Sequence, residues 1–163
     1  MNIIIHDLKR IDEKTVINSS QKDTVIIYDN DIINPCIGCF GCWVKTPGQC
    51  VIKDGFDNLG ELWSKCSRLI IISQCYYGGF SPFVKNVLDR VVCPYQLPYF
   101  TKIKGEMRHP KRYKNNIELS IHFYGKMSEN EKETARMLGN KLLIIKLSSI
   151  DFYGSHVEIK GVL

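Results

Sequence analysis

Long hydrophobic runs are absent from this chain of 163 residues, and their absence excludes the simplest kind of membrane protein. No apolar stretch approaches the ~20 residues that a transmembrane helix needs. The first seven residues also lack the basic n-region and the small-residue cleavage site of a secretory signal peptide. We therefore expect a cytoplasmic protein with no membrane partner.

Internal repeats, low-complexity stretches and linkers are lacking too, and no catalytic triad can be recognised. A length of 163 residues suits one core, so we predict a single domain over residues 1–163. Hydrophobic residues make up 44% of the chain and charged residues 24%, which is typical of a globular protein rather than a disordered one.

Acidic residues are scarce in one irregular stretch, although the net charge of the whole chain is only +5. The stretch holds one acid, Glu106, and six basic residues, Lys102, Lys104, Arg108, Lys111, Arg112 and Lys114. It is either a solvated loop or a patch that attracts phosphate-bearing ligands. The aromatic residues nearby follow no recognisable nucleic-acid-binding pattern, so we expect no nucleic-acid partner.

Short β-branched apolar runs at residues 2–5, 24–28, 69–73 and 117–123 predict buried strands, and a fifth is expected near 150–159. Amphipathic helical patterns lie between them. Ser81 and Pro82 open one helix as N-cap and first residue, and Ser128 with Glu131 forms a capping box for another. Alternating buried strands and helices indicate an α/β fold with a parallel sheet covered on both faces.

The most specific motif is a run of four cysteines, Cys36-x2-Cys39-x2-Cys42-x7-Cys50. Three thiolates at this compact spacing can converge on one iron–sulfur cluster, and a fourth closes the coordination. Four thiolates also suit zinc, although zinc ribbons use paired knuckles. The third possibility is that these are buried thiols with no metal.

The other three cysteines lie outside this run. Cys66 falls on the apolar face of a helical pattern and is expected in the core. Cys75 and Cys93 lie at the edges of predicted elements, where their thiols could be exposed. On the helix that follows Ser81, Lys85, Asp89 and Arg90 are expected on the side opposite much of the apolar stripe.

The loop after the third strand has the composition of a ligand-binding segment. Gly78 and Gly79 allow close backbone approach, and Tyr76 and Tyr77 could flank a flat ring or pack against a neighbouring loop. The helix that begins after Ser81 offers free N–H groups to a ligand. Together with Cys75, these residues predict a flavin-ring site at the carboxyl end of the sheet.

Both motif-rich segments resemble the flavodoxin-like NAD(P)H-dependent FMN reductases and iron–sulfur flavoproteins. The resemblance lies in residues 36–54, which carry the four cysteines, and in residues 81–90, which read Ser-Pro-Phe-Val-Lys-Asn-Val-Leu-Asp-Arg. It implies a three-layer sandwich with five parallel strands in the order 2-1-3-4-5. It also implies FMN at the rim, NAD(P)H as substrate, a possible [4Fe-4S] cluster and a homodimer.

Two departures from the family pattern alter these expectations. The glycine-rich phosphate loop that the family places after the first strand is missing, so Lys9, Arg10 or the basic stretch would have to bind the FMN phosphate. Only about 16 positions separate the first two strands, so the first crossover helix should be short or missing. In addition, Cys75-Tyr76-Tyr77 replaces the family's Pro-x-Tyr.

The leading functional hypothesis is therefore a flavoprotein oxidoreductase that uses FMN to move electrons from NAD(P)H to a small acceptor. No catalytic side chain is assigned. One alternative is a flavin-free flavodoxin-like scaffold that acts as a thiol-based regulatory or binding protein. Another is an electron carrier whose cofactor is a cluster on the four cysteines.

The homodimer is also expected from large apolar groups on irregular segments, which a small core cannot bury entirely. These groups are Trp43, Tyr95, Leu97, Tyr99 and Phe100.

Overall fold

The computed structural model describes residues 1–9, 23–29, 32–103, 105–142 and 145–159. The strands are β1 (Asn2–His6), β2 (Thr24–Tyr28), β3 (Arg68–Gln74), β4 (Thr101–Ile103), β5 (Glu106–Arg108), β6 (Glu118–Tyr124) and β7 (Lys146–Tyr153). The helices are α1 (Gly41–Val44), α2 (Leu59–Ser64), α3 (Pro82–Tyr95), α4 (Glu129–Lys141) and a 3-10 turn, His156–Glu158.

Five of these strands form one parallel sheet in the order β2-β1-β3-β6-β7. The central strands are continuous apolar runs because both of their faces are buried. In register, Ile4 of β1 lies between Ile26 of β2 and Ile70 of β3. Since β4 and β5 pair only with each other, this order is the predicted flavodoxin-like 2-1-3-4-5.

Four predicted strands lie where the sequence indicated, whereas the fifth begins earlier than expected. β7 covers Lys146–Tyr153 instead of residues 150–159. It forms an edge of the sheet and is only half-buried, so polar residues interrupt its apolar pattern. The expected short or missing first crossover helix falls at residues 10–22, outside the described residues.

Both predicted helix starts are confirmed by their capping contacts. The Ser128 hydroxyl accepts from the backbone N–H of Glu131 at 3.3 Å, while the Glu131 carboxylate accepts from the Ser128 N–H at 2.8 Å. At α3, the N–H of Val84 donates to the Ser81 hydroxyl at 3.5 Å. No helix among the residues that the structure describes is long and apolar enough to span a bilayer.

The chain divides into two compact units, each described here by itself. The sheet unit comprises residues 1–30, 67–85 and 116–163 and holds the parallel sheet and α4. The cysteine unit comprises residues 31–66 and 86–115 and holds α1, α2, most of α3 and the β4–β5 hairpin. A single domain over residues 1–163 stays a prediction.

The cysteine unit is organised around Arg90, a residue that the sequence placed on the polar side of α3. That placement is wrong, because Arg90 is only 1% exposed. Its guanidinium forms a two-pronged ion pair with Asp54 at 2.8 and 3.0 Å. It also donates to the carbonyl of Asn34 at 2.7 Å. A helix periodicity cannot reveal a buried arginine whose partner lies 36 residues away.

The Asp54 carboxylate also accepts two backbone hydrogen bonds. The backbone N–H groups of Asn34 and Phe56 donate to its carboxylate at 2.9 and 3.1 Å. Burial alone would raise the pKa of Asp54, but the hydrogen bonds from Arg90, Asn34 and Phe56 outweigh it and hold the pKa well below its usual range. Asp54 is therefore ionised in the folded protein down to strongly acidic pH.

We predict that Asp54→Ala destabilises the protein by about 3–5 kcal/mol at pH 7, because it leaves a buried guanidinium unpaired. Since the folded pKa is depressed, this stabilisation is complete above the unfolded value of about 3.9 and is lost as pH falls through the folded pKa. Urea midpoints at neutral and acidic pH measure both effects.

The matched control is Glu61→Ala, which removes the carboxylate of an exposed ion pair with Lys65. That pair lies in solvent and should contribute little to stability. Equal losses in the two variants would contradict the central role of the Arg90–Asp54 pair.

Candidate functional site

The loop after β3, which carries the residues predicted for the flavin-ring site, folds as a tight two-residue hairpin at the carboxyl end of this strand. The N–H of Tyr76 donates to the Gly79 carbonyl at 3.0 Å, and the N–H of Gly79 donates to the Tyr76 carbonyl at 2.8 Å. Tyr77 and Gly78 both have positive φ, 53° and 80°, which is the signature of a type I′ turn. The turn presents the Tyr77 side chain to solvent at 89% exposure.

Two residues of the predicted ring site have structural roles that the sequence did not reveal. A Cβ on Gly78 would come within 2.6 Å of Thr134 Cβ and 2.7 Å of the Glu131 carbonyl oxygen, so this glycine lets the turn pack against α4. Ser81 is buried as the cap of α3, and its N–H donates to the Ser73 hydroxyl at 2.9 Å. Gly79 is less constrained, since a Cβ there would meet only the Tyr76 carbonyl, at 3.3 Å.

Cys75 stands between the end of β3 and this turn and is half-buried. Its N–H donates to the Tyr124 carbonyl at 2.9 Å, and the Gly78 N–H donates to its sulfur. Burial raises the pKa of the Cys75 thiol, and nearby Glu131 raises it further. Cys75 is therefore a protonated thiol at neutral pH.

The residue that the sequence reasoning missed at this edge is Asp7, directly after β1. Its carboxylate accepts from the Gln74 N–H and from the Tyr124 hydroxyl, both at 2.9 Å. Burial raises the pKa of Asp7, while hydrogen bonds from Ser81, Gln74 and Tyr124 act in the opposite direction. Asp7 thus ties together the ends of β1, β3 and β6, where a parallel sheet places its ligands.

His6 precedes Asp7 and is fully buried. Its Nδ1 accepts from the Leu8 N–H at 3.2 Å, so the ring proton of the neutral form is on Nε2. Burial lowers the pKa of His6 to about 4, so the ring is neutral at pH 7. It supplies no positive charge for an anionic ligand.

A cavity of about 270 Å³ opens at the carboxyl ends of β6 and β7. It is slightly smaller than typical small-molecule sites, which begin at roughly 300 Å³, so it has room for part of a cofactor rather than all of one. Its walls include two glycines, two lysines and two aromatic rings, namely Gly125, Gly154, Lys126, Lys132, Phe152 and Tyr153.

The predicted phosphate ligands are placed only in part. Lys9 is exposed just beyond β1, and Arg10 lies outside the described residues. In the basic stretch, Lys111 donates to the Asn115 carbonyl at 2.7 Å and Arg112 to the Pro94 carbonyl at 3.1 Å. Arg108 forms an ion pair with Glu106. Three of the basic side chains in this stretch are therefore engaged in contacts within the protein.

In the cysteine unit, the four-cysteine segment lies between Asn34 and Asp54, and Arg90 donates to both of them. Cys36 and Cys39 are exposed, Cys42 on α1 is half-buried and Cys50 is buried. All seven cysteines are free thiols. Within the described residues, no three His, Cys, Asp or Glu side chains stand close enough together to hold a metal ion as they are.

A further thiol lies near this segment, which the sequence reasoning did not anticipate. Burial raises the pKa of the Cys93 thiol, in the last turns of α3, and the nearby thiols of Cys36 and Cys39 raise it too. Burial, together with the neighbouring thiols of Cys93 and Cys50, raises the pKa of Cys42 to about 12. The remaining thiol, Cys66, is buried in the core as predicted.

An aromatic stack lies beside these thiols in the same unit. Trp43 lies 5.4 Å from Phe40 and 5.0 Å from His109, between ring centroids, and Phe100 lies 4.0 Å from His109. The Trp43 indole N–H donates to the carbonyls of Cys93, at 2.6 Å, and Gln96, at 3.0 Å. These contacts fix α1 against the end of α3.

Known proteins are similar to this chain in fold and, over part of its length, in sequence. An FMN-dependent NADH-azoreductase from Bacillus anthracis, solved in complex with FMN, superposes with a TM-score of 0.54 over 96% of this chain and 88% of its own. Sequence identity is only 11%, so this likeness supports the fold alone.

Two iron-sulfur flavoproteins are related in sequence over part of their length. The one from Methanocaldococcus jannaschii is 38% identical over 58 residues, and the one from Archaeoglobus fulgidus is 36% identical over 67. The matches cover 36% and 41% of this chain but only 29% and 27% of those relatives. The chain thus matches less than a third of the length of either relative.

The profile of the family described as NADPH-dependent FMN reductase matches residues 13–111, which is more than half of the chain. This stretch contains β2, β3, the Tyr76–Gly79 turn and the cysteine segment. With the parallel strand order and the turn at the carboxyl end of β3, the match shows that this chain belongs to the NADPH-dependent FMN reductase family.

Proposed function

We propose that the protein is a flavoprotein oxidoreductase that uses FMN to move electrons from NAD(P)H to a small acceptor. The observation that carries this proposal is the carboxyl edge of the sheet unit in a member of the FMN reductase family. There the type I′ turn at Tyr76–Gly79 and the glycine-walled cavity leave the ends of β3, β6 and β7 open to a flat ligand.

FMN would supply the hydride and electron chemistry, and the protein would supply binding and orientation. Tyr76 and Tyr77 would flank the ring, and Gly79 would allow close approach of the backbone. Asp7 would hold the strand ends in place through Tyr124 and Gln74. In this assignment, Cys75, Gly78 and Ser81 shape the loop from within.

The phosphate side fits FMN less well than the ring side does. Of residues 7–9, the described residues directly after β1, Lys9 is the only cation, and Asp7 places a carboxylate two positions before it. We propose that Lys9 and Arg10 bind the phosphate as exposed charges. Such contacts give weaker binding than a converging set of backbone N–H groups.

A [4Fe-4S] cluster is the second proposed cofactor, and it would make the cysteine unit an electron-transfer site. The run of four closely spaced cysteines in this unit supports it, because soft thiolate ligands favour iron–sulfur clusters. The two partial relatives are named iron-sulfur flavoproteins, which agrees with this assignment. We further propose a cytoplasmic homodimer.

Salt should weaken FMN binding if exposed cations hold the phosphate. The screening length falls from about 30 Å at 0.01 M to about 3 Å at 1 M ionic strength. Two exposed contacts worth up to ~1 kcal/mol each then predict a loss of roughly 5- to 30-fold in affinity. Fluorescence titration of apo-protein measures it, with riboflavin, which lacks the phosphate, as the salt-insensitive comparison.

The variant Asp7→Asn provides a second test in the same titration, because it removes a carboxylate two residues before Lys9. FMN should bind more tightly to this variant while riboflavin binding changes little. Glu118→Gln, at the opposite end of β6, is the matched control and should leave both affinities unchanged. Tight, salt-insensitive FMN binding would overturn the exposed-cation assignment, and no FMN binding at either salt would favour the flavin-free scaffold.

Light scattering at micromolar concentration should give twice the 18.8 kDa mass of the chain. Tyr99 and Phe100 are exposed and remain candidates for the interface, whereas Tyr95, which the sequence placed there, is fully buried in the core. A Tyr99→Ser, Phe100→Ser variant should shift the equilibrium toward monomer. A wild-type protein that is monomeric under these conditions would remove the dimer from the proposal.

A further inference from the structure

We propose that the cavity at the carboxyl ends of β6 and β7 is a phosphate subsite, in which Lys126 and Lys132 bind the 2′-phosphate of NADPH. This inference rests on the proposed function, since it assigns part of the nicotinamide substrate, and it goes further by choosing NADPH over NADH. The two nucleotides differ only in that phosphate. The composition of the cavity walls and the charges around them carry the inference.

The cavity lies beside the turn that is proposed to hold the flavin ring. A Cβ on Gly125, in the cavity wall, would lie 3.7 Å from Cγ of Gln74, the last residue of β3. On the α4 side, Gly78 of the turn is in close contact with the Glu131 carbonyl, and Lys132 is the next residue of that helix. A nicotinamide nucleotide at the ring would therefore have the cavity within its reach.

The residues that line the cavity carry positive charge and no negative charge. Two of the seven are lysines, and none is acidic. Lys126 is exposed and has no ion-pair partner among the residues that the structure describes. Because a lysine ammonium binds phosphate as a point charge, two lysines at one small opening suit a group with more than one negative charge.

Lys132 is engaged in an ion pair that a phosphate can replace. Its ammonium lies 2.7 Å from the carboxylate of Glu129, whose side chain is 81% exposed. An exposed pair of this kind contributes little to stability, because water screens both charges. A phosphomonoester carries about 1.5 to 2 negative charges at pH 7, so it can compete with Glu129 for the lysine.

Two other carboxylates near the opening are engaged in hydrogen bonds. Glu131 accepts from the N–H and from the hydroxyl of Ser128, both at 2.8 Å. Glu158 accepts from the Gly154 N–H at 3.0 Å and from the Ser155 hydroxyl at 3.3 Å. These donors offset part of the negative charge, so both carboxylates repel an anion in the cavity less than free carboxylates would.

A third cation lies against an apolar wall of the cavity. The Arg136 guanidinium is 5.1 Å from the centroid of the Phe152 ring, which lines the cavity. The ion-pair partner of Arg136 is Glu133, at 3.3 Å, and that side chain is 66% exposed. Arg136 thus adds positive charge on this side, while the ring offers apolar surface to the ribose that carries the phosphate.

The size of the cavity favours a terminal phosphate over a pyrophosphate. A volume of about 270 Å³ holds only part of a nucleotide. A terminal monoester can enter it end-on, whereas the pyrophosphate in the middle of a dinucleotide needs a groove that is open on both sides. The FMN phosphate is assigned to Lys9 and Arg10 beyond β1, and β3 lies between β1 and β6. The cavity is therefore left for the 2′-phosphate of NADPH.

Isothermal titration calorimetry tests the subsite without any turnover, on the protein with and without added FMN. The probes are adenosine 2′,5′-bisphosphate, which carries the 2′-phosphate, and adenosine 5′-monophosphate, which lacks it. The bisphosphate should bind to the wild-type protein roughly 5- to 30-fold more tightly, as expected for two partly exposed charge contacts. In the double variant Lys126→Gln, Lys132→Gln this difference should disappear.

The matched control is Lys146→Gln, which removes an exposed lysine at the opposite end of β7. Lys146 is paired with Glu118 at 3.4 Å and lies outside the cavity wall. The control should bind both probes as the wild-type protein does. Circular dichroism confirms that each variant is folded.

Three results would overturn the proposal. They are equal affinity of the two probes for the wild-type protein, an unchanged difference in the double variant, and an equal loss in Lys146→Gln. Titration of the double variant with FMN separates the two sources of a terminal phosphate. Weaker FMN binding with unchanged bisphosphate binding would assign the cavity to the flavin phosphate and overturn the assignment to NADPH.

Oxidation of NADPH in the presence of FMN is measured separately from these titrations. Its absence would count against the proposed oxidoreductase, whereas calorimetry with the two adenosine probes alone decides the phosphate subsite. Failure of the subsite and failure of the proposed function are therefore distinguishable.

Discussion

The buried ion pair between Arg90 and Asp54 is the interaction on which the cysteine unit depends. Arg90 comes from α3, while Asp54 and Asn34 flank the segment that carries Cys36 to Cys50. The pair therefore closes a long loop at its two ends, which regular secondary structure does not do here. Removing one partner of such a pair leaves an uncompensated buried charge, which strongly destabilises the fold.

At the carboxyl edge of the sheet, too, a carboxylate satisfies buried polar groups. Asp7 accepts hydrogen bonds from the Gln74 N–H and from the Tyr124 hydroxyl. The carboxylate thus satisfies these two donors, and it also places a negative charge beside the proposed FMN phosphate contacts. In the proposed flavin site, the ring side is therefore expected to fit FMN better than the phosphate side does.

Features encoded by local chemistry could be predicted from the sequence. The Ser128–Glu131 capping box and the central strands are examples, because capping and burial on both faces act through neighbouring residues. The limits of β7 could not be placed, since an edge strand tolerates polar residues. The roles of Arg90 and Asp7 escaped prediction because each depends on partners that are distant in sequence.

The central claim is that this member of the FMN reductase family carries both a flavin and an iron–sulfur cluster, and the absorption spectrum of anaerobically purified protein tests it most directly. The account predicts two flavin bands, in the near-ultraviolet and the blue, on top of a broad brown shoulder from the cluster. A spectrum with neither feature, from protein that is folded and replete with free thiols, would contradict it.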